Sequence, residues 1–266
     1  MLVVAALRGA VADLQGIVTC SVGEPGAVLA AVPAAGTPVV VLGEQRDEAA
    51  LRQQATLLSD RDGGRPVAVR AWPHSPLAVL ALATWICEQG VTDDGQAMAE
   101  LDVAAAHTLS AAWIRRVGGL DSPAPSLGQH LRSWSPTASG FVVVHSPRQG
   151  VYPVGAAPTS VEWPGGLDVR RGALFVGGEA PAPVLEWAKR AAGVADSVPV
   201  PAFSQPAQRY GTERAVEMCA LPADPRTVLA ARADASRCPV CSLHTPLGSC
   251  AFCKRTSAPI ALEGAA

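Results

Sequence analysis

The sequence predicts an α/β fold: an open, mostly parallel sheet in the N-terminal half, a mixed α/β second part, and a small cysteine-bearing unit near the C-terminal end. Three observations carry this. Through the first half, continuous apolar runs alternate with helix-periodic ones, the pattern of parallel strands covered on both faces. Past Gly140 the β-rich runs pair around turn residues instead. Four of the seven cysteines crowd into the segment "RCPVCSLHTPLGSCAFCKR". The expected organisation is a Rossmann-like α/β domain over 1–135, a mixed region over 136–236, the cysteine unit over 237–255 and a tail over 256–266.

"GIVTCSV" reads as a buried strand and "EPGAVLAAVPAAG" as the helix after it, with Pro25 suited to the first turn and Gly36 to the end. "TPVVVLG" is a second buried strand. "EQRDEAALRQQATLLSD" follows as an exposed, charged helix, "RPVAVRAW" as a strand, and "SPLAVLALATWICEQG" as a helix capped by Ser75 with Pro76 behind it. Met98, Leu101, Ala105, Leu109, Ala112 and Trp113 share one stripe at helical spacing, which predicts a long helix over 96–116. "QHLRSW" is a short helix between Pro/Ser/Gly-rich connections. "FVVVHSPRQGVYPVG" is a hairpin, "LDVRRGALFVGG" one strand or two, and "APVLEWAKRAAGV" an amphipathic helix. "DSVPVPAFSQPAQRYG" is too rich in proline for a regular element. Helices around "TERAVEMCAL" and "DPRTVLAARAD" lead to the cysteines.

With a formal net charge of −2 and a pI near 6.2, the chain has no global attraction for nucleic acid or an anionic membrane. The start, "MLVVAALRGAVADLQ", lacks the pattern of a signal peptide, and no apolar run reaches the roughly 20 residues a bilayer span takes. The expectation is a cytoplasmic protein without a membrane partner. In a reducing compartment, clustered cysteines favour a metal over disulfides.

Cys238, Cys241, Cys250 and Cys253 follow C-x2-C-x8-C-x2-C. Two such turns, each aiming a pair of thiolates at one point, complete the tetrahedron that Zn²⁺ prefers. The pattern resembles the short zinc ribbons appended to many intracellular proteins, over residues 237–255 only. It departs from them in carrying Ser242 and Lys254 where a glycine often follows each pair. The resemblance implies one structural zinc ion, since four thiolates leave no open coordination position. Arg237, Lys254 and Arg255 rim the unit and could touch a nucleic-acid backbone, although a solvated rim is the simpler reading.

Elsewhere the candidates are weaker. Ser21, Gly23 and Gly26 sit at a strand-to-helix turn able to hold a phosphate, but without the G-x-G-x-x-G or G-x4-G-K-[ST] pattern. Cys20 and Ser21 lack the first glycine of a nucleophile elbow. "VGGLDSPAPS" partly resembles the S-G-G-x-D-S loop of the ATP pyrophosphatases. Val117 replaces its leading serine, and the run before it reads as helix; Gly118 and Gly119 then cap that helix, with Asp121 and Ser122 in the turn. "HSP" occurs at His74–Pro76 and His145–Pro147, each after a strand, so two imidazoles could meet at one sheet edge. Cys87 and Cys219 read as small core residues of helices. No catalytic residue is assigned. The functional expectation is a zinc-ribbon-bearing α/β protein that acts as a binding or adaptor component of an assembly with a protein partner. The alternative is an enzyme acting on a nucleotide or phosphorylated sugar through the N-terminal domain.

Overall fold

The computed structural model describes residues 1–8, 14, 16–34, 36–163, 169–202, 206–226, 237–245 and 249–253. Two sheets organise them. The first is parallel, in the order β2-β1-β3-β4, from β1 (Leu2–Leu7), β2 (Ile17–Ser21), β3 (Val39–Glu44) and β4 (Val67–Trp72). The second is mixed, in the order β7-β6-β5-β10-β8-β9. It is built from β5 (Leu109–Ile114), β6 (Phe141–Ser146), β7 (Gly150–Pro153), β8 (Arg171–Val176), β9 (Ser197–Pro199) and β10 (Ala215–Pro222). Its pairs are antiparallel except β8 with β9.

The side chains of β1 explain the layering. Val4 and Ala6 face a cluster with Val28, Leu51 and Leu58 from α1 (Ala27–Ala31) and α2 (Glu48–Arg61). Val3, Ala5 and Leu7 face the opposite way, onto α3 (Pro76–Glu88) and α4 (Asp94–Ala106). α3 and α4 also meet Cys219 and Leu221 of β10, so these two helices lie between the sheets. That is why the run "PLAVLALA" is buried almost without interruption. On its outer face the second sheet packs Leu174, Val176, Met218 and Ala220 against α6 (Ala182–Ala192).

The α/β class and the parallel N-terminal sheet agree with the sequence, and so does the hairpin, formed by β6 and β7. Three segments differ. The helix expected over 96–116 ends at Ala106, and Leu109–Ile114 is the strand β5. "TERAVEMCAL" is not a helix but contributes the central strand β10. Both runs are buried on both faces, so their apolar residues show no strand alternation and match helical spacing by accident. The proline-rich stretch holds two short elements, β9 and α7 (Pro206–Tyr210). "DPRTVLAARAD" lies outside the described residues beyond Arg226, as do Lys254 and Arg255. No helix among the described residues is long and apolar enough to cross a membrane.

Candidate ligand-binding site

Parallel strands deliver their following residues to one edge of the first sheet: Arg8 after β1, Gln45 and Arg46 after β3, Trp72 and Pro73 around the end of β4. Asp121, Ser122, His145 and Gln149 from the second unit close over them with Gln208 and Arg209, leaving a polar cavity of about 540 Å³. Beneath it lie two buried carboxylates. Arg8 donates to Asp47 Oδ1 through Nε at 2.8 Å, Arg46 Nη2 donates to Glu44 Oε1 at 3.0 Å, and Arg209 ion-pairs with Glu44. Arg209 also donates to the carbonyls of Pro73 and His74. Each guanidinium has five N–H donors, so these bonds fix its plane without using all of them.

His145 anchors the second-unit wall. Its Nε2 lies 3.3 Å from Tyr210 Oη, which donates to Glu217 Oε1 at 2.9 Å, while Glu217 Oε2 accepts from the Leu77 amide at 2.9 Å. Tyr210 has one proton to give, so His145 must carry its own on Nε2. Burial lowers the His145 pKa to about 3, with His74 and Arg46 adding to the fall. Burial likewise lowers His74 to about 4, opposed by its bond to the Ala105 carbonyl. Both rings are therefore neutral near pH 7. His74 follows a strand of one sheet and His145 lies in a strand of the other, so they are not on parallel neighbours, and they approach each other across the space between the units. Ser75 caps α3 as expected, accepting from the Ala78 amide.

Four residues past Pro73, α3 meets a second cavity, of about 410 Å³ and mainly apolar. Leu77, Leu80, Ala81, Thr84 and Trp85 form one wall along the helix; Ala173 and Phe175 of β8, with Leu221 and Val200, form the other. The small side chains at 172 and 173 leave the space open. A chain reader could have found the Leu-rich helix face, but nothing in the sequence places it opposite β8.

Ser21, Gly23 and Gly26 line neither cavity. They form the β2–α1 turn, where Gly26 takes φ +79° and the Val28 amide is already taken by Gln54 Oε1 at 2.9 Å. Cys20 is half-buried, and burial, with Glu24 second, raises its thiol to about 11. Gly118 and Gly119 follow a strand instead of capping a helix, and they carry the chain to Asp121 and Ser122 in the polar cavity wall.

The four cysteines of the C-terminal cluster come together, their sulfurs all within 4.8 Å of one another. Tetrahedral zinc with Zn–S bonds near 2.3 Å sets S–S separations of about 3.8 Å, so this donor set fits a metal ion. The amides of Cys241 and Val240 lower the Cys238 thiol to about 7. The unit does not project from the body. Cys238, Cys250 and Phe252 are buried in the cluster that contains Met98 and Leu101 of α4, and the backbone of His244 lies against Gly95.

No protein-family model matches the chain, and no curated protein matches it. Solved structures do. A DegV family protein from Eubacterium eligens loaded with heptadecanoic acid matches with a TM-score of 0.60 at 11% identity, over 82% of this chain and 99% of that one. The Streptococcus pneumoniae fatty acid kinase (Fak) B3 protein loaded with linoleic acid matches with a TM-score of 0.54 at 10% identity, over 84% and 99%. A DegV family protein from Corynebacterium glutamicum matches with a TM-score of 0.52 at 12% identity, over 84% and 98%. The fold is DegV-like. That likeness spans both units and overturns the two functional expectations, the zinc-ribbon adaptor and the nucleotide or sugar-phosphate enzyme. Both took the chain for a generic α/β scaffold, the first giving the cysteine unit the leading role and the second the edge of the N-terminal sheet. In the folded chain the described cysteine unit is packed onto α4, and the edge of the first sheet is one wall of a cavity shared with the second unit.

Proposed function

We propose that this protein binds a long-chain fatty acid. The observation that carries the reading is the match of nearly the whole of two solved chains, loaded with heptadecanoic and linoleic acid, to a chain with an apolar cavity along α3. A cavity of this size and lining suits an apolar ligand. Burying a methylene contributes about 0.8 kcal/mol, so an acyl chain supplies most of its own affinity there. The polar cavity at the start of the same helix offers Arg8, Arg46, Arg209 and Ser122 to the carboxylate, with Asp121 the one acidic side chain in its wall. The expected protein partner then takes a definite form: an enzyme acting on the bound acid, as the name fatty acid kinase of one similar protein suggests. We further propose that Cys238, Cys241, Cys250 and Cys253 hold one structural zinc ion.

Lipid extraction and mass spectrometry of the purified protein, with thermal melts in the presence of C16 and C18 fatty acids, nucleotides and sugar phosphates, test the first proposal. Bound fatty acid and an upward shift with the fatty acids alone are expected. A protein that carries no lipid and responds to no fatty acid overturns it. Elemental analysis is expected to give one zinc per chain.

A further inference from the structure

The cysteine unit has no framework of its own. Even the short helix α5 (Leu127–Ser133) is held by its own turn and a capping box, whereas the described residues between 237 and 253 form no helix or strand, only a bridge between Arg237 and His244. The Cys238 amide donates to the Leu243 carbonyl and the Ser242 amide to the Cys238 carbonyl, both at 2.9 Å. A unit this small takes its folding energy from its metal. Its remaining support is the body of the protein, where Cys238 and Cys250, each 2% exposed, are buried with Phe252 against Met98 and Leu101 of α4.

The surface beneath the unit leads to the apolar cavity. Cys238, Cys250 and Phe252 share one contiguous cluster with Leu77, Leu80 and Leu221 of the cavity lining, and Trp85 and Phe175 of its walls pack against that cluster. The unit sits at the α3–α4 corner, where Arg237 pairs with Asp93 at 3.9 Å and the His244 backbone closes on Gly95. At the same corner Arg226, three residues past Ala223 of the cavity lining, ties the two helices. It donates to both carboxylate oxygens of Glu100 at 3.1 Å and to the Gln89 carbonyl at 3.4 Å. α4 thus joins the cysteine ligands to α3, the wall of the cavity, through a close-packed core that transmits a shift instead of absorbing it.

We propose that the cysteine unit is a redox switch on the acyl cavity: oxidation of its thiolates expels the metal, frees the unit from α4 and lowers fatty-acid affinity. Each pair of thiolates gives two electrons to one molecule of hydrogen peroxide. An S–S bond forms, the O–O bond breaks, and two protons from solvent leave with the oxygens as two waters. Two pairs consume two peroxides and release the zinc ion. Half-buried Cys241 and Cys253 give the oxidant its way in. Sulfurs about 3.8 Å apart across a metal close to about 2.05 Å in a disulfide, which draws Cys238 and Cys250 out of the core positions they fill. The switch rests on the fatty-acid and zinc readings, and the experiment separates the three.

The test uses the full, zinc-loaded chain carrying Cys20→Ser and Cys87→Ser, so that the half-buried thiols outside the unit take no part. Palmitate affinity is measured by titration before hydrogen peroxide, after it, and after dithiothreitol with zinc chloride. A chromogenic chelator follows released zinc and a thermal melt follows the fold. Peroxide is expected to release one zinc per chain, to form two disulfides and to lower palmitate affinity about fivefold or more, with a cooperative melt retained and affinity restored by dithiothreitol with zinc. Chelation under reducing conditions is expected to lower affinity by a similar factor, and bound palmitate to raise zinc affinity by that same factor, as linkage requires. Zinc lost with palmitate affinity unchanged overturns the switch and leaves both readings standing. A treated chain that no longer melts cooperatively also overturns it, because the body has then unfolded as a whole. A reduced, zinc-loaded chain that binds no fatty acid removes the fatty-acid reading and the switch with it; a chain that binds fatty acid but no zinc removes the zinc reading and the switch.

Discussion

At the scale of single residues, Ala173 decides how much room the apolar cavity has. It points to the same side of β8 as Phe175, toward α3, and is small where Phe175 is large. Ala173→Phe fills that space from a half-buried position, so the expected result is a tenfold or greater loss of fatty-acid affinity, about 1.4 kcal/mol or more, with the fold retained. Isothermal titration beside a thermal melt checks it; unchanged affinity would mean the acyl chain lies elsewhere. Glu44 is the opposite case, a buried carboxylate shared by Arg46 and Arg209. Glu44→Gln leaves Arg209 without this counter-charge and Arg46 with only its longer pair to Asp47, at 3.9 Å, and is expected to cost about 3 kcal/mol in urea unfolding. The clustering of the four cysteines was legible in the sequence because their spacing is local. Glu44 and Arg209 were not, because they meet only through the tertiary fold and neither carries a local motif.

At the scale of elements, the strands and helices that begin with a clear punctuation mark were legible: Ser75-Pro76 opens α3, and the turn at "SPRQG" separates β6 from β7. The strands β5 and β10 were not, since central strands of a sheet covered on both faces lose the alternation that marks a strand. The same covering explains an unusual position in α4. A glycine in a helix normally costs about 1 kcal/mol relative to alanine, so Gly95→Ala would be expected to stabilise. Here a Cβ at Gly95 would come within 1.9 Å of the His244 carbonyl oxygen, backbone that cannot swing aside. Gly95→Ala is therefore expected to reverse the usual sign, lowering the melting temperature and loosening the cysteine unit. Faster zinc release to a chromogenic chelator than from wild type is the check, and equal release would show that the contact does not support the metal site.

At the scale of the whole molecule, the relation between the two sheets was the least legible feature, because no local pattern states which sheet edge faces which. His74 follows a strand of one sheet and His145 lies in a strand of the other, yet each is fully enclosed where the units meet. Their enclosure makes the assembly of the units sensitive to acid. The folded pKa values are depressed to about 4 and about 3, from 6.5. Above pH 6.5 both rings are neutral whether the chain is folded or not, and stability is highest. As pH falls below 6.5 the unfolded chain takes up protons that the folded chain refuses, so stability declines until the folded pKa values are reached. Each histidine contributes a slope approaching 1.4 kcal/mol per pH unit across that window. Urea unfolding at pH 7.5, 6.5, 5.5 and 5.0, with excess zinc to keep the cysteine site filled, is expected to show this decline. His145→Gln should flatten it, since an amide can still donate to Tyr210 without titrating. A slope untouched by His145→Gln and His74→Gln would place the acid-sensitive groups elsewhere.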